Sequence, residues 1–548
     1  MAQNFMKDVM KQSAKTLSKT DSNLLGLQHS ALDVSPKLYA FTQWLNSPEF
    51  IQTHKTSNMD IHGLPAIKIN HPIVFENYNR INGMGYGLKT LHSIAKGEVI
   101  IQQKTALGLI SNTLSSDPSF NPNKPAQISQ TTQESQDSQL TPAEVQEEFE
   151  SQNLLDQLIS LTQRVSQHFF PNPLQENQRI RLFQHLMLTQ KLILLERQTE
   201  SVTVEENYMS SYLDLLPRED MTQLLFWNKN VQLTKNDPNS PYLGQNSLSI
   251  EEFMWAFSTV SSRHLVFNNQ AVSTDQNPFL MMLPLVDMIN HSPSFQPNVV
   301  VLPYEDKLNS ESYIIIQAIQ DIQENEQLYQ SYGNLSNTHL IQKYGFTLEQ
   351  NPNNMIQHSF PFGSFERYTY EEQQLKRKLS QQFKIPINEQ RFMGSFYSNR
   401  FNQDMFKTLR LGFLASQNII DRRGTETFIN DVGDMSKPFD PSNEQLCYEY
   451  LVSALDQSYQ KLQPQEYYEQ QIDNIKHTIL TKPSPDTQEI QQNAVKDNKF
   501  KKLAPLDQYN LMNAFRLQAD ESRILKSNIE FLKKNKSEAI KKVLESLH

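Results

Sequence analysis

Apolar positions recur at helical spacing through much of the chain, and in a few short stretches they alternate as a strand requires. Leu154, Leu158, Leu161 and Val165 share one face, and residues 180–197 carry a longer apolar run ending on Glu196 and Arg197. Residues 212–217 predict a helix stopped by Pro217. From Ile250 the run EEFMWAFSTVSSRHL predicts a helix that buries Phe253, Trp255, Ala256 and Val260 and carries Arg263 near its end. Residues 299–302 and 313–319 are β-branched runs of strand length. Residues 81–102 read as a glycine-rich turn leading into two short strands joined at Lys96, Gly97 and Glu98. Near the start, Leu38, Phe41, Trp44 and Leu45 give residues 36–48 a helical face. Beyond Phe346 the pattern turns helical, with long helices predicted over 404–414, 443–462 and 511–547. In the last of these Leu525, Ile529, Leu532, Ile540, Val543 and Leu547 keep one stripe. Residues 483–498 read as a polar loop.

Residues 112–153 break the pattern. They are rich in Ser, Gln, Thr, Pro and Asn, and bury too little apolar surface to offset the entropy of ordering, which predicts a disordered insertion. The order of elements is strands, insertion, helices, strands, then a helical tail. Without βαβ alternation a doubly wound sheet is excluded, and the expected class is α+β. The expected division is 1–80 as flanking helices, 81–111 as the first part of a β-rich core, and 112–153 as the disordered insertion. A helical insertion over 154–256, the second part of the core over 257–346 and an all-α domain over 347–548 complete it.

Composition narrows the function classes. The 548 residues exceed one ordinary core. A net charge of −10 argues against general phosphate-backbone binding, so no direct nucleic-acid partner is expected. With Cys447 as its one cysteine, the chain has no internal disulfide or cysteine-rich zinc site, and a reducing compartment is expected. No apolar run reaches the roughly 20 residues of a membrane span. The lysine-bearing N-terminus is read as a frayed end, with a targeting peptide as the alternative.

Candidate chemistry gathers in two places. Gly85 and Gly87 in G-M-G-Y-G-L-K-T fail as a dinucleotide fingerprint, because Thr90 stands where Gly or Ala is needed and the preceding residues are too polar. The second place is P-L-V-D-M-I-N-H-S at residues 284–292, followed by Y-Q-S-Y-G-N-L-S-N-T-H-L-I-Q-K-Y-G-F at 329–346. Together with W-A-F-S-T-V-S-S-R ending at Arg263, these stretches resemble a SET methyltransferase domain of the Rubisco large-subunit methyltransferase-like branch. The resemblance covers residues 81–109 and about 154–346, with looser similarity in the tail. It extends to the actin-histidine methyltransferase type.

The resemblance implies a β-rich fold of short strands split by a helical insertion, with a helical C-terminal domain that docks a protein substrate. It implies S-adenosylmethionine as cofactor and no metal. Gly85 and Gly87 would admit the cofactor close to the backbone, with Lys89 where relatives carry arginine. Arg263 would meet the methionine carboxylate, a task suited to a guanidinium. Asn290 would hold the methionine end, with His291 at the adenine and Asp287 supporting the turn beside them. Tyr344, Gly345 and Phe346 would close the pocket. Tyr332 would project into the channel between the two substrate sites as the catalytic residue. Ser292 has no base pattern to make it a nucleophile. Asn325 departs from the glycine usual in the turn before Gln327.

The activity so implied is N-methylation of a protein lysine. Leu265 lies two places after the arginine, where the histidine-directed type has a polar residue, and an apolar side chain suits an aliphatic lysine better. A histidine acceptor and an inactive scaffold remain as alternatives. The expected partner is a lysine-bearing protein, with ribosomal, translational, histone and cytoskeletal proteins all open. A monomer in the cytoplasm is expected, with the nucleus as a second location.

Overall fold

The computed structural model describes residues 67–71, 73–77, 86–104, 109–110, 154, 157–158, 176–199, 210–213, 216–217, 223, 249–267, 279–292, 294, 296–306, 311–360, 369–385, 392–397, 404–414, 430, 435–480, 503 and 505–547. The expected helix over 36–48, the disordered insertion over 112–153, the polar loop over 483–498, Leu161, Val165 and Gly85 all lie outside these residues. The described residues are α+β and group into two compact units. The first ends at Gly333 and takes in Gln342–Gly345; the second comprises Asn334–Ile341 and the residues from Phe346 onward.

The first unit is built on short antiparallel sheets. Strands β1 (Ile67–Ile69), β4 (Val99–Lys104), β10 (Glu311–Ala318) and β9 (Val299–Asp306) form one sheet in that order. The runs that predict β9 and β10 pair from Val299 opposite Ala318 to Asp306 opposite Glu311. β2 (Ile73–Asn77) pairs with β3 (Tyr86–Thr90). β5 (Leu109–Ile110), β7 (Phe279–Met282) and β6 (Leu265–Phe267) form a third sheet. The turn at residues 95–98 places Gly97 at φ 92°, a left-handed value that glycine adopts without a side-chain clash.

Helices cover this core. α1 (Glu176–Thr199) packs on α3 (Ile250–Arg263) and buries Leu186, Leu188, Leu192 and Ile193. α2 (Ser210–Leu213) is short. α3 starts with a reciprocal cap, Ser249 accepting from the Glu252 amide while Glu252 accepts from the Ser249 amide. Phe253, Trp255, Ala256 and Val260 are buried as their spacing predicts, and Trp255 donates its ring N–H to the Pro217 carbonyl at 3.0 Å.

The second unit is mainly helical. α4 (Asn337–Tyr344) starts in it. α5 (Tyr370–Gln382), α6 (Asp404–Gly412), α7 (Pro441–Tyr459), α8 (Gln465–Leu480) and α9 (Pro505–Leu547) follow. The structure adds an antiparallel pair to the expected helical tail, β12 (Met355–Phe360) with β13 (Phe392–Tyr397). α9 also begins earlier than its apolar stripe predicts, at Pro505, a residue suited to a helix's first turn. Leu525, Ile529 and Leu532 are buried against α7 residues Leu451 and Leu455, and Cys447 is a buried free thiol. Among the described residues no helix is long and apolar enough to cross a membrane.

Candidate active site

Two parallel strands of two residues each set the geometry. β8 (Asn290–His291) pairs with β11 (Tyr329–Gln330), putting Asn290 opposite Tyr329 and His291 opposite Gln330. Asn298 fastens the arrangement: its Nδ2 donates to the Gln327 carbonyl at 2.8 Å and its Oδ1 accepts from the Tyr329 amide at 2.7 Å. The chain enters β8 through a 3-10 turn at Val286–Met288, preceded by Leu285 at φ 74°. A left-handed leucine is strained, and it persists here with its side chain fully buried.

This register brings Tyr332 back over the 3-10 turn. Its hydroxyl donates to the Ile289 carbonyl at 3.0 Å, and the Gln330 side chain donates to the same oxygen at 3.0 Å. The Tyr332 amide donates to His291 Nδ1 at 3.2 Å, and the two rings stack with centroids 5.2 Å apart. The Tyr344 ring lies 4.5 Å from the Tyr332 ring on centroids. Burial, with the neighbouring Tyr344 phenol, raises the Tyr332 hydroxyl above the usual tyrosine range. Tyr332 is therefore a neutral hydrogen-bonding group at neutral pH, equipped to orient and not to act as a base.

Arg263 and Asp287 form the charged part of the site. Arg263 Nη1 lies 3.3 Å from Asp287 Oδ2 and reaches the Asp287 carbonyl at 3.4 Å and Met288 Sδ at 3.2 Å. Tyr212, from the helical insertion, donates its hydroxyl to the same carboxylate oxygen at 2.5 Å. Burial pushes the Asp287 carboxyl up from its ordinary value, against the opposing pull of Arg263 and the Tyr212 hydroxyl. Burial works most strongly against the Arg263 charge, but Asp287, Tyr212 and Tyr332 together outweigh it and the guanidinium stays ionised. Asp287 thus holds Arg263 as well as the turn.

The remaining predicted positions fall as follows. β3 packs against β8 and against the 3-10 turn, which brings the strand of Gly87 and Lys89 to Asn290. Gly87 is buried, and the Lys89 backbone bridges to Gln327. Asn325 stands at φ 63°, a conformation asparagine tolerates better than other side chains, so it can serve where a glycine is usual. Gly345, at φ 84°, ends α4 as a left-handed residue just past a helix does. Leu265 opens β6 opposite Met281, half-buried against the core. Phe346 is buried and belongs to the second unit. Ser292 Oγ accepts from the Gln296 amide at 3.0 Å and lies 3.3 Å from Ser294 Oγ, with no base bonded to it among the described residues.

Tyr212 and Gln330 are site residues the sequence reading did not pick out. Tyr212 carried a signal only as a polar-tipped residue at the end of an otherwise apolar helix. Two buried polar atoms at the centre, Asn290 Nδ2 and Asp287 Oδ1, have no hydrogen-bond partner among the described residues. Such atoms are uncommon in native interiors and mark a place where a polar ligand would complete the bonding. An orphaned amide donor beside a fixed guanidinium fits the carboxylate and ammonium end of an amino-acid-like group, provided Asp287 receives the ammonium. Among the described residues no group of histidine, cysteine and carboxylate side chains is placed to hold a metal ion.

Comparison with known proteins adds to this geometry. Residues 85–333 match the family model of the SET domain. The ribosomal lysine N-methyltransferase set11 of Schizosaccharomyces pombe is 29% identical over 143 residues, 26% of this chain and 34% of that protein. The ribosomal lysine N-methyltransferase set10 of the same yeast is 30% identical over 100 residues, 18% of this chain and 17% of that protein. The match thus spans about a third of one curated relative and about a sixth of the other. Among solved structures, the SET domain of LSMT bound to lysine and AdoHcy superposes with a TM-score of 0.55 at 15% identity, covering 93% of each chain. Rubisco LSMT bound to AdoMet gives a TM-score of 0.53 at 14% identity, over 92% of this chain and 93% of that one.

Proposed function

We propose, from the match of residues 85–333 to the SET-domain family model, that the chain is an S-adenosylmethionine-dependent protein-lysine N-methyltransferase. The observation that carries the reading is the placement of Tyr332. Its hydroxyl is fixed to the Ile289 carbonyl, one residue before the orphaned Asn290 amide and within electrostatic reach of Arg263 and Asp287. Asn290, Arg263 and Asp287 would hold the amino-acid end of the cofactor, and the strand carrying Gly87 and Lys89 would lie along it. Tyr344, packed beside Tyr332, would form the other wall of the channel.

When bound, S-adenosylmethionine supplies a methyl group on a positively charged sulfur. The acceptor lysine would first lose its proton to solvent, and Tyr332 would hold the neutral amine in line with the methyl group that the cofactor would supply, leaving the sulfur as an uncharged thioether. No acid is needed for the leaving group, so the protein's tasks are alignment and keeping the amine uncharged. An unperturbed lysine has a pKa of about 10.4, and a channel walled by Tyr332 and Tyr344 disfavours its charged form. The Tyr332 hydroxyl and the Ile289 carbonyl would orient the amine and contact the polarised methyl. Leu265 offers no hydrogen bond to an imidazole, which favours lysine over histidine. The curated relatives are ribosomal lysine methyltransferases, which makes ribosomal proteins the first substrate class to try.

The test is to incubate the protein and its Tyr332→Phe variant with methyl-labelled cofactor and heat-inactivated cell extract, then hydrolyse the labelled band. The expected outcome is labelled methyl-lysine with the parent and a loss of at least about a hundredfold with the variant. Equal labelling removes Tyr332 from its role, and methyl-histidine moves the acceptor. No labelling, together with no cofactor binding by calorimetry at millimolar concentration, leaves a scaffold.

A further inference from the structure

A line of basic side chains that the transfer chemistry does not use runs up to the wall of the proposed channel. His185 on α1 lies 2.8 Å, through Nε2, from Ser261 Oγ. Its ring stands edge-on to His264, with centroids 5.6 Å apart. His264 directly follows Arg263, and its Nδ1 is 2.7 Å from the Val260 carbonyl, so that nitrogen carries the hydrogen and Nε2 is left as an acceptor. Lys343 Nζ lies 3.5 Å from that Nε2. The same Nζ sits over the Tyr344 ring, 5.1 Å from its centroid, and Tyr344 in turn packs on Tyr332. These separations place the Lys343 charge within about 10 Å of the Tyr332 ring, with the Tyr344 ring between them.

Among the described residues the charged or titratable groups that act on Lys343 and its neighbours are Arg181 and His185 on α1, His264 after α3, and Tyr344, none of them a carboxylate. Arg263 and Asp287 also act electrostatically on Tyr332. Burial, then His264 and Lys343, hold His185 well below the usual histidine range, and burial, then Lys343, take His264 down to about 3. Both rings are therefore neutral, and the positive charge of the line resides on Lys343. Burial and then Arg181 lower that ammonium to about 8, so it is mainly charged at neutral pH and loses its charge above that point.

We infer that Lys343, held in place by His264, is a charge-setting residue that disfavours the protonated form of the acceptor amine in the channel. The inference rests on the methyltransferase reading given above. A positive charge at this distance in a partly buried site moves a neighbouring amine by about one pH unit at an effective dielectric constant of about 20. The effect is to enlarge the neutral, reactive fraction of the acceptor lysine. His264 is a positioning residue in this scheme, since it acts only through Lys343.

The experiment compares the full-length parent with Lys343→Met, Lys343→Gln and Lys343→Arg. The initial rate of methyl transfer from labelled S-adenosylmethionine into heat-inactivated cell extract is followed from pH 6.5 to 10, with melting temperatures recorded alongside. Met and Gln both remove the charge, and Gln keeps a donor for His264, so one of the two carries the test if the other fails to fold. The rising limb of the profile is expected to move up by about one pH unit in the neutral variants, a loss of about tenfold below pH 8 that shrinks above it. Lys343→Arg is expected to keep the parent limb and to hold it to higher pH. Neutral variants that follow the parent profile, or an Arg variant that shifts with them, overturn the inference and leave the methyltransferase reading standing. A parent that labels no protein overturns both.

Discussion

The hydroxyl of Tyr212 and the carboxylate of Asp287 meet at 2.5 Å, joining a helix of the insertion to the turn that carries the site's asparagine. The two residues are 75 positions apart in the chain. Arg263 approaches the same carboxylate oxygen, so a single buried atom gathers a phenol and a guanidinium.

Removing the phenol oxygen tests that bond. Tyr212→Phe leaves Asp287 with Arg263 alone and is expected to destabilise the first unit by about 1–3 kcal/mol, read as a lowered urea midpoint. Asp287→Ala is expected to cost more, about 3–5 kcal/mol, because it leaves the Arg263 charge buried without a counter-ion. An Asp287→Ala effect no larger than that of Tyr212→Phe would show that the ion pair is not buried as described.

Asn290 separates a binding role from a folding role. Its Nδ2 has no partner in the described protein, so Asn290→Ala deletes no hydrogen bond from that atom and the melting temperature of the free protein is expected to stay within a few degrees. Affinity for S-adenosylmethionine is expected to fall about tenfold or more by calorimetry, the loss of one charge-assisted bond. A large drop in melting temperature with unchanged affinity contradicts this.

Acid should weaken the first unit through its histidines. The folded pKa of His264, about 3, lies below the unfolded value of about 6.5, so the unfolded chain binds the proton more tightly. The stabilising contribution is complete above about pH 6.5 and is lost as pH falls towards 3. At pH 5 the expected loss is about 2 kcal/mol from this group. His185 acts in the same direction. His264→Gln is expected to flatten the dependence of unfolding free energy on pH between 7 and 5, and an unchanged slope contradicts the assignment.

The second unit offers an independent case. Arg410 and Glu444, both deeply buried, are joined by two bonds of 2.8 and 3.0 Å, and Arg410 also donates to the Met435 and Ser436 carbonyls. Glu444→Gln is expected to cost about 3–5 kcal/mol by urea unfolding, whereas Arg410→Met with Glu444→Leu is expected to recover much of it, since no charge is left unpaired. A double variant as unstable as the single one would point to packing as the cause.

What could be read from the chain was whatever local periodicity encodes. The strands at Val299–Asp306 and Glu311–Ala318 follow from β-branched runs, and the helix at Ile250–Arg263 from its apolar spacing behind the Ser249 and Glu252 cap. The grouping of Tyr332 with Asn290, His291 and Tyr344 was legible through motif resemblance, because those residues lie close in sequence to recognisable neighbours. The Tyr212 contact and the line from His185 to Lys343 were not legible, since each joins residues brought together only by the packing of distant helices. The pair Met355–Phe360 with Phe392–Tyr397 escaped for another reason: its strands are mixed in polarity and embedded in a helix-rich tail.

Helix α4 begins in one unit and finishes in the other, with Tyr344 in its last turn. Anyone expressing only the matched span, residues 85–333, would obtain a polypeptide that keeps Tyr332 and discards the Tyr344 ring packed against it. Truncation at the matched edge would therefore yield a poor reporter of the proposed activity, and a shortened version meant for assays should run at least through Gly345.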